Sequence, residues 1–303
     1  MINHYVAQRT PEGFRKGIAV ATLALRKNPR SAAIHAVLAL AAATQSFYGL
    51  TPPAGNVALA RKHVRRALAL SPRNTEALIA LALIRFYWER DWKQSRDAFS
   101  AALRYDPSHA LAYHLLAAWY LARGEDASAL DAAAKAEALA PQSLLTSSSH
   151  GWILHLAGRF DEAIAKARHL IARDPNYWRG YFSLALSLSA IGRLEEARDA
   201  IDLADALIDH PMPRLVRVHI LGRLGETRAA LRAMPKPGRR YTPQYWTAFA
   251  YMGLGDTGAA FTALERAVRY REWFVLFVRR DPAFHSLADT PRFRKLIKAA
   301  DLR

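Results

Sequence analysis

Residues 110–141 read ALAYHLLAAWYLARGEDASALDAAAKAEALAP, and the fold turns on their punctuation. Apolar residues recur at helical spacing on both sides of Gly124, and Pro141 closes the stretch. Glycine permits the left-handed backbone of a tight turn. Proline cannot continue a helix, because it lacks the N–H and its ring collides with the preceding turn. The stretch therefore predicts two antiparallel amphipathic helices, with small Ala residues letting the second approach the first closely.

The same punctuation recurs in both directions. Pro29, Pro72, Pro107, Pro141, Pro175 and Pro211 stand 43, 35, 34, 34 and 36 residues apart. Gly124, Gly158, Gly192, Gly225 and Gly255 run at 34, 34, 33 and 30. Five residues beyond each glycine stands an alanine: Ala129, Ala163, Ala197, Ala230 and Ala260. The 43-residue interval holds FYGLTPPAGN (47–56), which reads as an insertion between two helices. Within 75–107 the turn is WERDW, with no glycine, so that unit reads as degenerate. PKPGRR (235–240) reads as an exposed connector.

A 34-residue helix–turn–helix period resembles the tetratricopeptide repeat (TPR). In 110–141, Tyr113, Leu116, Ala117, Tyr120, Gly124, Ala129, Ala136 and Pro141 occupy the positions of that motif, and 144–175 and 178–209 fit nearly as well. The resemblance implies an all-α, TPR-like, right-handed superhelical solenoid spanning 1–303, closed by a C-terminal capping helix. Residues 11–29 read as a half repeat. Residues 32–72, 75–107, 110–141, 144–175, 178–211, 212–235 and 241–270 read as repeats, and 274–302 as the cap, since a terminal repeat otherwise exposes its apolar face.

DPAFHSLADTPRFRKLI (281–297) resembles the closing element of the TPR region in bacterial signalling proteins and transcriptional regulators. In those, a winged-helix DNA-binding or nucleotide-cyclase domain precedes the repeats. RTPEGFRKGI (9–18), RFYWERDWKQSRDAF (85–99) and RRYTPQYWTAFAYMGLGD (239–256) agree with it, although this sequence contains neither output domain. The resemblance implies a non-catalytic protein-interaction or sensory module in signalling or transcriptional regulation, with a protein or peptide partner.

Composition bounds the chemistry. The 303 residues are 51% hydrophobic and 23% charged, a globular balance. The absence of Cys excludes disulfides, thiolate metal sites and a cysteine nucleophile. The first residues lack the pattern of a secretory leader. The most apolar run, Ala36 to Ala43, falls far short of the roughly 20 residues that cross a bilayer. A soluble, cytoplasmic protein without membrane contact is expected. The net charge is +17 and the isoelectric point near 10.4. From Met212 onward there are 18 basic and 7 acidic residues, a surplus of 11. That bias keeps open nucleic-acid or polyanion association through the basic C-terminal third.

Catalytic constellations are missing. His109/His114 and His150/His155 are five apart, about 140° around a helix, so neither pair shares a face as metal ligands would. SSSH (147–150) has no strand–turn–helix elbow, and its adjacent Ser149 and His150 diverge on a helix. No phosphate-cradling glycine loop occurs. No enzyme, metal or cofactor is expected.

In the TPR register, function belongs to the concave face of the stacked first helices. The resemblance places Phe86, Tyr87, His114, Ala118, Ser148, Trp152, His155, Arg179, Phe182, Leu186, His219, Arg223, Tyr245 and Phe249 there. Such a groove is aromatic and sparsely charged, suited to an apolar peptide oriented by Arg179. Two basic patches lie elsewhere: Arg61, Lys62, Arg65 and Arg66, expected to face outward, and Arg292, Arg294, Lys295 and Lys298 on the terminal helix.

Overall fold

The computed structural model describes residues 10–45, 47, 51–236 and 241–302. The leader reading at 1–5, positions 48–50 of the insertion and 237–240 of the connector lie outside the described residues. Among the described residues there are sixteen α-helices and no strand. Helix α1 (Pro11–Lys27) precedes seven antiparallel pairs. These are α2 (Ala32–Gln45) with α3 (Pro53–Leu70), and α4 (Thr75–Leu83) with α5 (Trp92–Tyr105). Next come α6 (Ala110–Ala122) with α7 (Asp126–Leu139), and α8 (Leu144–Leu156) with α9 (Phe160–Arg173). The last three are α10 (Trp178–Ala190) with α11 (Leu194–Leu207), α12 (Pro211–Arg223) with α13 (Thr227–Ala233), and α14 (Gln244–Gly253) with α15 (Thr257–Arg269). Two 3-10 turns, Trp273–Phe277 and Pro282–Leu287, lead to α16 (Pro291–Ala299).

The glycine series does what its spacing implies. Gly124, Gly158, Gly192, Gly225 and Gly255 all adopt φ between +74° and +81°. In each turn the N–H after the glycine returns to a carbonyl five residues earlier, as from Glu125 to Tyr120 (3.0 Å), closing the helix end. The alanines beyond, Ala129, Ala163, Ala197, Ala230 and Ala260, are at most 1% exposed. Arg90 solves the same problem without glycine, at φ +60°. There the chain widens into a π-helical turn over Ile84–Glu89, and Asp91 N–H reaches back six residues to the Arg85 carbonyl (2.9 Å). That wider turn absorbs the extra residue in the 35-residue interval between Pro72 and Pro107.

First helices of successive pairs pack on one another: α2 on α4, α6 on α8, α8 on α10, α10 on α12 and α12 on α14. They form one wall, and the second helices lie outside it. The α12–α14 contact is the tightest. A Cβ on Gly222 would lie 2.5 Å from the Gly253 carbonyl oxygen, and one on Gly253 would lie 2.2 Å from that of His219. These helices therefore meet backbone to backbone, which only glycine allows. Partly buried hydrogen bonds tie other pairs. Glu137 on α7 accepts from Ser147 and His150 on α8 and Lys166 on α9, each at 2.7 Å.

Candidate functional site

Residues 271–287 run back across the wall of first helices instead of continuing the stack. Glu272 is 6% exposed. Its carboxylate accepts the N–H groups of Gln244 and Tyr245, each at 2.8 Å, and the Tyr241 hydroxyl, thereby capping the N-terminus of α14. Burial pushes its pKa up, against those donors. Trp273 stacks on Phe47 at 4.0 Å and meets Phe86 edge-on at 5.3 Å. Phe274 stacks on Tyr245 at 5.7 Å, and Phe277 meets the edge of Trp152 at 4.6 Å. Arg271 donates to the Trp88 carbonyl, and Arg280 pairs with Asp126. Asp281 accepts the Tyr245 hydroxyl at 2.6 Å, and Phe284 packs against Tyr245 at 5.4 Å.

This return segment is part of the core. Trp273, Val275, Leu276, Phe277, Val278, Phe284 and Leu287 are all buried. Each such side chain contributes about 1.5–3 kcal/mol relative to exposure, far more in sum than a weak partner could displace. Phe293 and Leu296 of α16 are also buried, and α16 packs on α15.

The arrangement redistributes the residues expected in the groove. Phe86 and Tyr87 are fully buried, with Trp273 against both rings, and Tyr245 is covered by Phe274 and Phe284. Ser148 is buried, bonding the Leu145 carbonyl (3.0 Å) and lying 3.2 Å from the Tyr177 hydroxyl. Phe182 is wedged between Trp178 and Trp246, and Phe249 lies on the His219 ring. Phe86, Tyr87, Tyr245 and Ser148 are core residues and not a contact surface, whereas Phe182 and Phe249 are buried but each lines one of the two openings beside the return segment.

Among the described residues, two openings remain beside the return segment. Along α6 and α8 and at the N-terminal end of α10, the partly exposed His114, Trp152 and Arg179 border a small cavity of about 60 Å³ beside Trp273 and Phe274. Arg179 lies over the Trp178 ring at 5.6 Å. At the C-terminal ends of α8, α10, α12 and α14, a cavity of about 260 Å³ is bordered by His155, His219, Arg223 and Asp281. Burial lowers the pKa of both histidines to about 4, so they are neutral at pH 7. Among the described residues, no group of three or more His, Asp or Glu could hold a metal ion.

The basic residues sit apart from both openings. Arg61, Lys62, Arg65 and Arg66 are exposed on α3, and Arg61 pairs with Glu89 at 2.5 Å. Arg292, Arg294, Lys295 and Lys298 are exposed on α16, and Arg292 pairs with Glu265 at 2.9 Å. The surplus of the C-terminal third is offset in space. Arg214 pairs with Asp205 and Asp209, Arg217 with Asp202, and Arg280 with Asp126, all acids from earlier in the chain.

Sequence reasoning missed Asp281 and Glu272 as buried carboxylates, and with them the return segment. Its one local signal is WFVLFV (273–278), six apolar residues with no polar face, which can be buried only on both sides.

Stacked helix pairs with glycine turns and buried alanines are the architecture of a TPR-like solenoid. Residues 89–143 and 156–211 match the family model described as Tetratricopeptide repeat. The fold is similar to that in the crystal structure of the APC/C hetero-tetramer Cut9-Hcn1, at 13% identity and a TM-score of 0.59, covering 99% of this chain and 54% of that one. It is also similar to a tetratricopeptide repeat protein from Parabacteroides merdae, at 13% identity and 0.53, covering 82% and 93%. Yeast Tom70 is similar at 18% identity and 0.52, covering 95% of this chain and 62% of its own. At such identities the likeness is one of fold. No curated protein sequence matches the chain. Among the described residues no helix is long and apolar enough to cross a membrane.

Proposed function

We propose that this protein is a non-catalytic interaction scaffold in a bacterial signalling or transcriptional-regulatory system. A segment of a partner protein docks at the opening formed by α6, α8 and α10. The observation that carries this reading is the exposure left beside the return segment. There Trp152, Arg179 and His114 stay partly accessible around a recess. Aromatic and Arg side chains dominate binding hot spots, and Trp152 and Arg179 are the partly exposed pair of that kind here. The neighbouring Phe47, Trp273 and Phe274 are chain residues in the position a peptide's apolar side chains would take.

A photo-crosslinking amino acid at Ser183, in the lining of the recess, tests this against the same group at Arg65 on the outer basic patch. The partner should be captured from Ser183 and lost on Arg179→Glu. Capture from Arg65, unchanged by Arg179→Glu, would reject the docking site. The alternative is polyanion association through Arg294, Lys295 and Lys298, which are exposed together on α16. Phosphate contacts would give an affinity falling steeply with salt, and an apolar recess would not.

A further inference from the structure

The larger of the two openings beside the return segment, at the C-terminal ends of α8, α10, α12 and α14, holds a guanidinium and a buried carboxyl group, neither of them in an ion pair among the described residues. Arg223 Nη1 donates to the Ser189 carbonyl (2.5 Å) and hydroxyl (3.1 Å), which fixes the guanidinium at the rim. It makes no ion pair among the described residues, and its remaining N–H groups are free to meet an anion. Asp281 is 4% exposed, and its two hydrogen-bond donors, the Tyr245 hydroxyl (2.6 Å) and the Ala283 N–H (3.0 Å), are both neutral. Burial pushes its pKa up, and these donors together with His285 nearby offset only part of the lost hydration, so a cation placed beside it would favour the ionised carboxylate.

His219 lines the same cavity, and its tautomer is fixed. Its Nδ1 lies 2.8 Å from the Phe249 carbonyl oxygen, which can only accept, so Nδ1 carries the proton. In the neutral ring Nε2 is then a bare lone pair, an acceptor with no protein donor among the described residues. Leu186, Phe249 and Met252 supply an apolar side to the same cavity.

We propose that this cavity binds a small zwitterion of the apolar α-amino-acid class. Its carboxylate lies on Arg223, its ammonium between Asp281 and His219 Nε2, and its side chain against Leu186, Phe249 and Met252. A simple anion satisfies Arg223 and is repelled by Asp281, and a simple cation meets the reverse. Only a ligand carrying both charges answers both residues. The volume, about 260 Å³, lies just under the roughly 300–1,000 Å³ of sites that take drug-sized molecules, and so fits a smaller one. This site is separate from the recess of the proposed partner, and its ligand would give the scaffold something to sense.

Isothermal titration calorimetry on the full chain tests it, with L-leucine and L-methionine as probes. L-leucinamide lacks the carboxylate, and N-acetyl-L-leucine lacks the ammonium. Both amino acids should bind, and each control should bind at least ten-fold more weakly. Arg223→Gln, at an exposed position, should weaken leucine at least ten-fold, and Met252→Trp, which fills the cavity, should abolish it. No binding of leucine or methionine at millimolar concentration would overturn the proposal. So would controls binding within two-fold of leucine, or Arg223→Gln binding leucine normally. Capture at Ser183 reads the other opening, so either idea can fail alone.

Discussion

Replacing Gly253 by Ala sets two effects of opposite sign against each other. Alanine is the better helix former by about 0.8–1.0 kcal/mol, so propensity alone predicts that the variant is more stable. The α12–α14 crossing predicts the reverse. The new methyl carbon would stand 2.2 Å from the His219 carbonyl oxygen and 2.4 Å from its Cα. Ordinary contact begins near 3.4 Å, so the helices must separate by more than 1 Å. The obstacle is backbone, which has no rotamer to yield. Overpacking against side chains costs about 1–3 kcal/mol, and against backbone the upper end applies, leaving a net loss of about 2 kcal/mol or more after the propensity gain. Gly55→Ala is the control, because nothing lies within 4 Å of its Cβ, and it should be neutral or slightly stabilising. Urea unfolding followed by circular dichroism measures both. A Gly253→Ala midpoint at or above that of the parent would refute the backbone-to-backbone crossing.

Three further outcomes are expected. Ala163→Leu, at a side chain 1% exposed, should lower stability by about 1–3 kcal/mol in the same assay, and an unchanged midpoint would contradict the tight helix pairing. Trp273→Ala should cost about 3–5 kcal/mol and uncover Phe47, Phe86 and Tyr87, seen as dye binding to exposed apolar surface, and a fully stable variant would mean the return segment is only loosely placed. His155 and His219, with pKa lowered to about 4 from the usual 6.5, bind protons more readily when unfolded. Their contribution is therefore present above pH 6.5 and is lost as pH falls toward 4, and ring signals of both in an NMR titration should stay those of neutral imidazole until about pH 4.

The repeating part of this molecule was legible because its determinants are local. A positive-φ glycine, an alanine five residues on and a proline at the helix end each act within a few residues, and their spacing repeats. Arg90 shows the limit of that grammar: the WERDW turn keeps the geometry without the glycine, and nothing nearby marks the substitution. Gly222 and Gly253 were hidden for a different reason. They stand only a few residues before the turn glycines 225 and 255, and their role depends on a neighbouring helix about thirty residues away. The groove residues illustrate the largest gap. The repeat register brought His155, His219 and Arg223 to one cavity, but only long-range packing decides that Phe86 and Tyr245 are covered while Arg179 is not. That packing comes from a segment whose own sequence carries no period.

The return segment also changes how the chain comes into being. A plain repeat array can begin folding anywhere and spread, since each unit touches only its neighbours. Here Arg271 meets Trp88 across 183 positions and Arg280 meets Asp126 across 154. During synthesis the early repeats emerge first, at about 5–20 residues per second, with Phe86, Tyr87 and Trp152 uncovered. They stay so until residues 273–284 have left the ribosome, a delay on the order of ten seconds or more. Over that interval the nascent chain displays aromatic rings that the finished protein largely covers, and exposed apolar surface of that kind is what drives aggregation of incomplete chains.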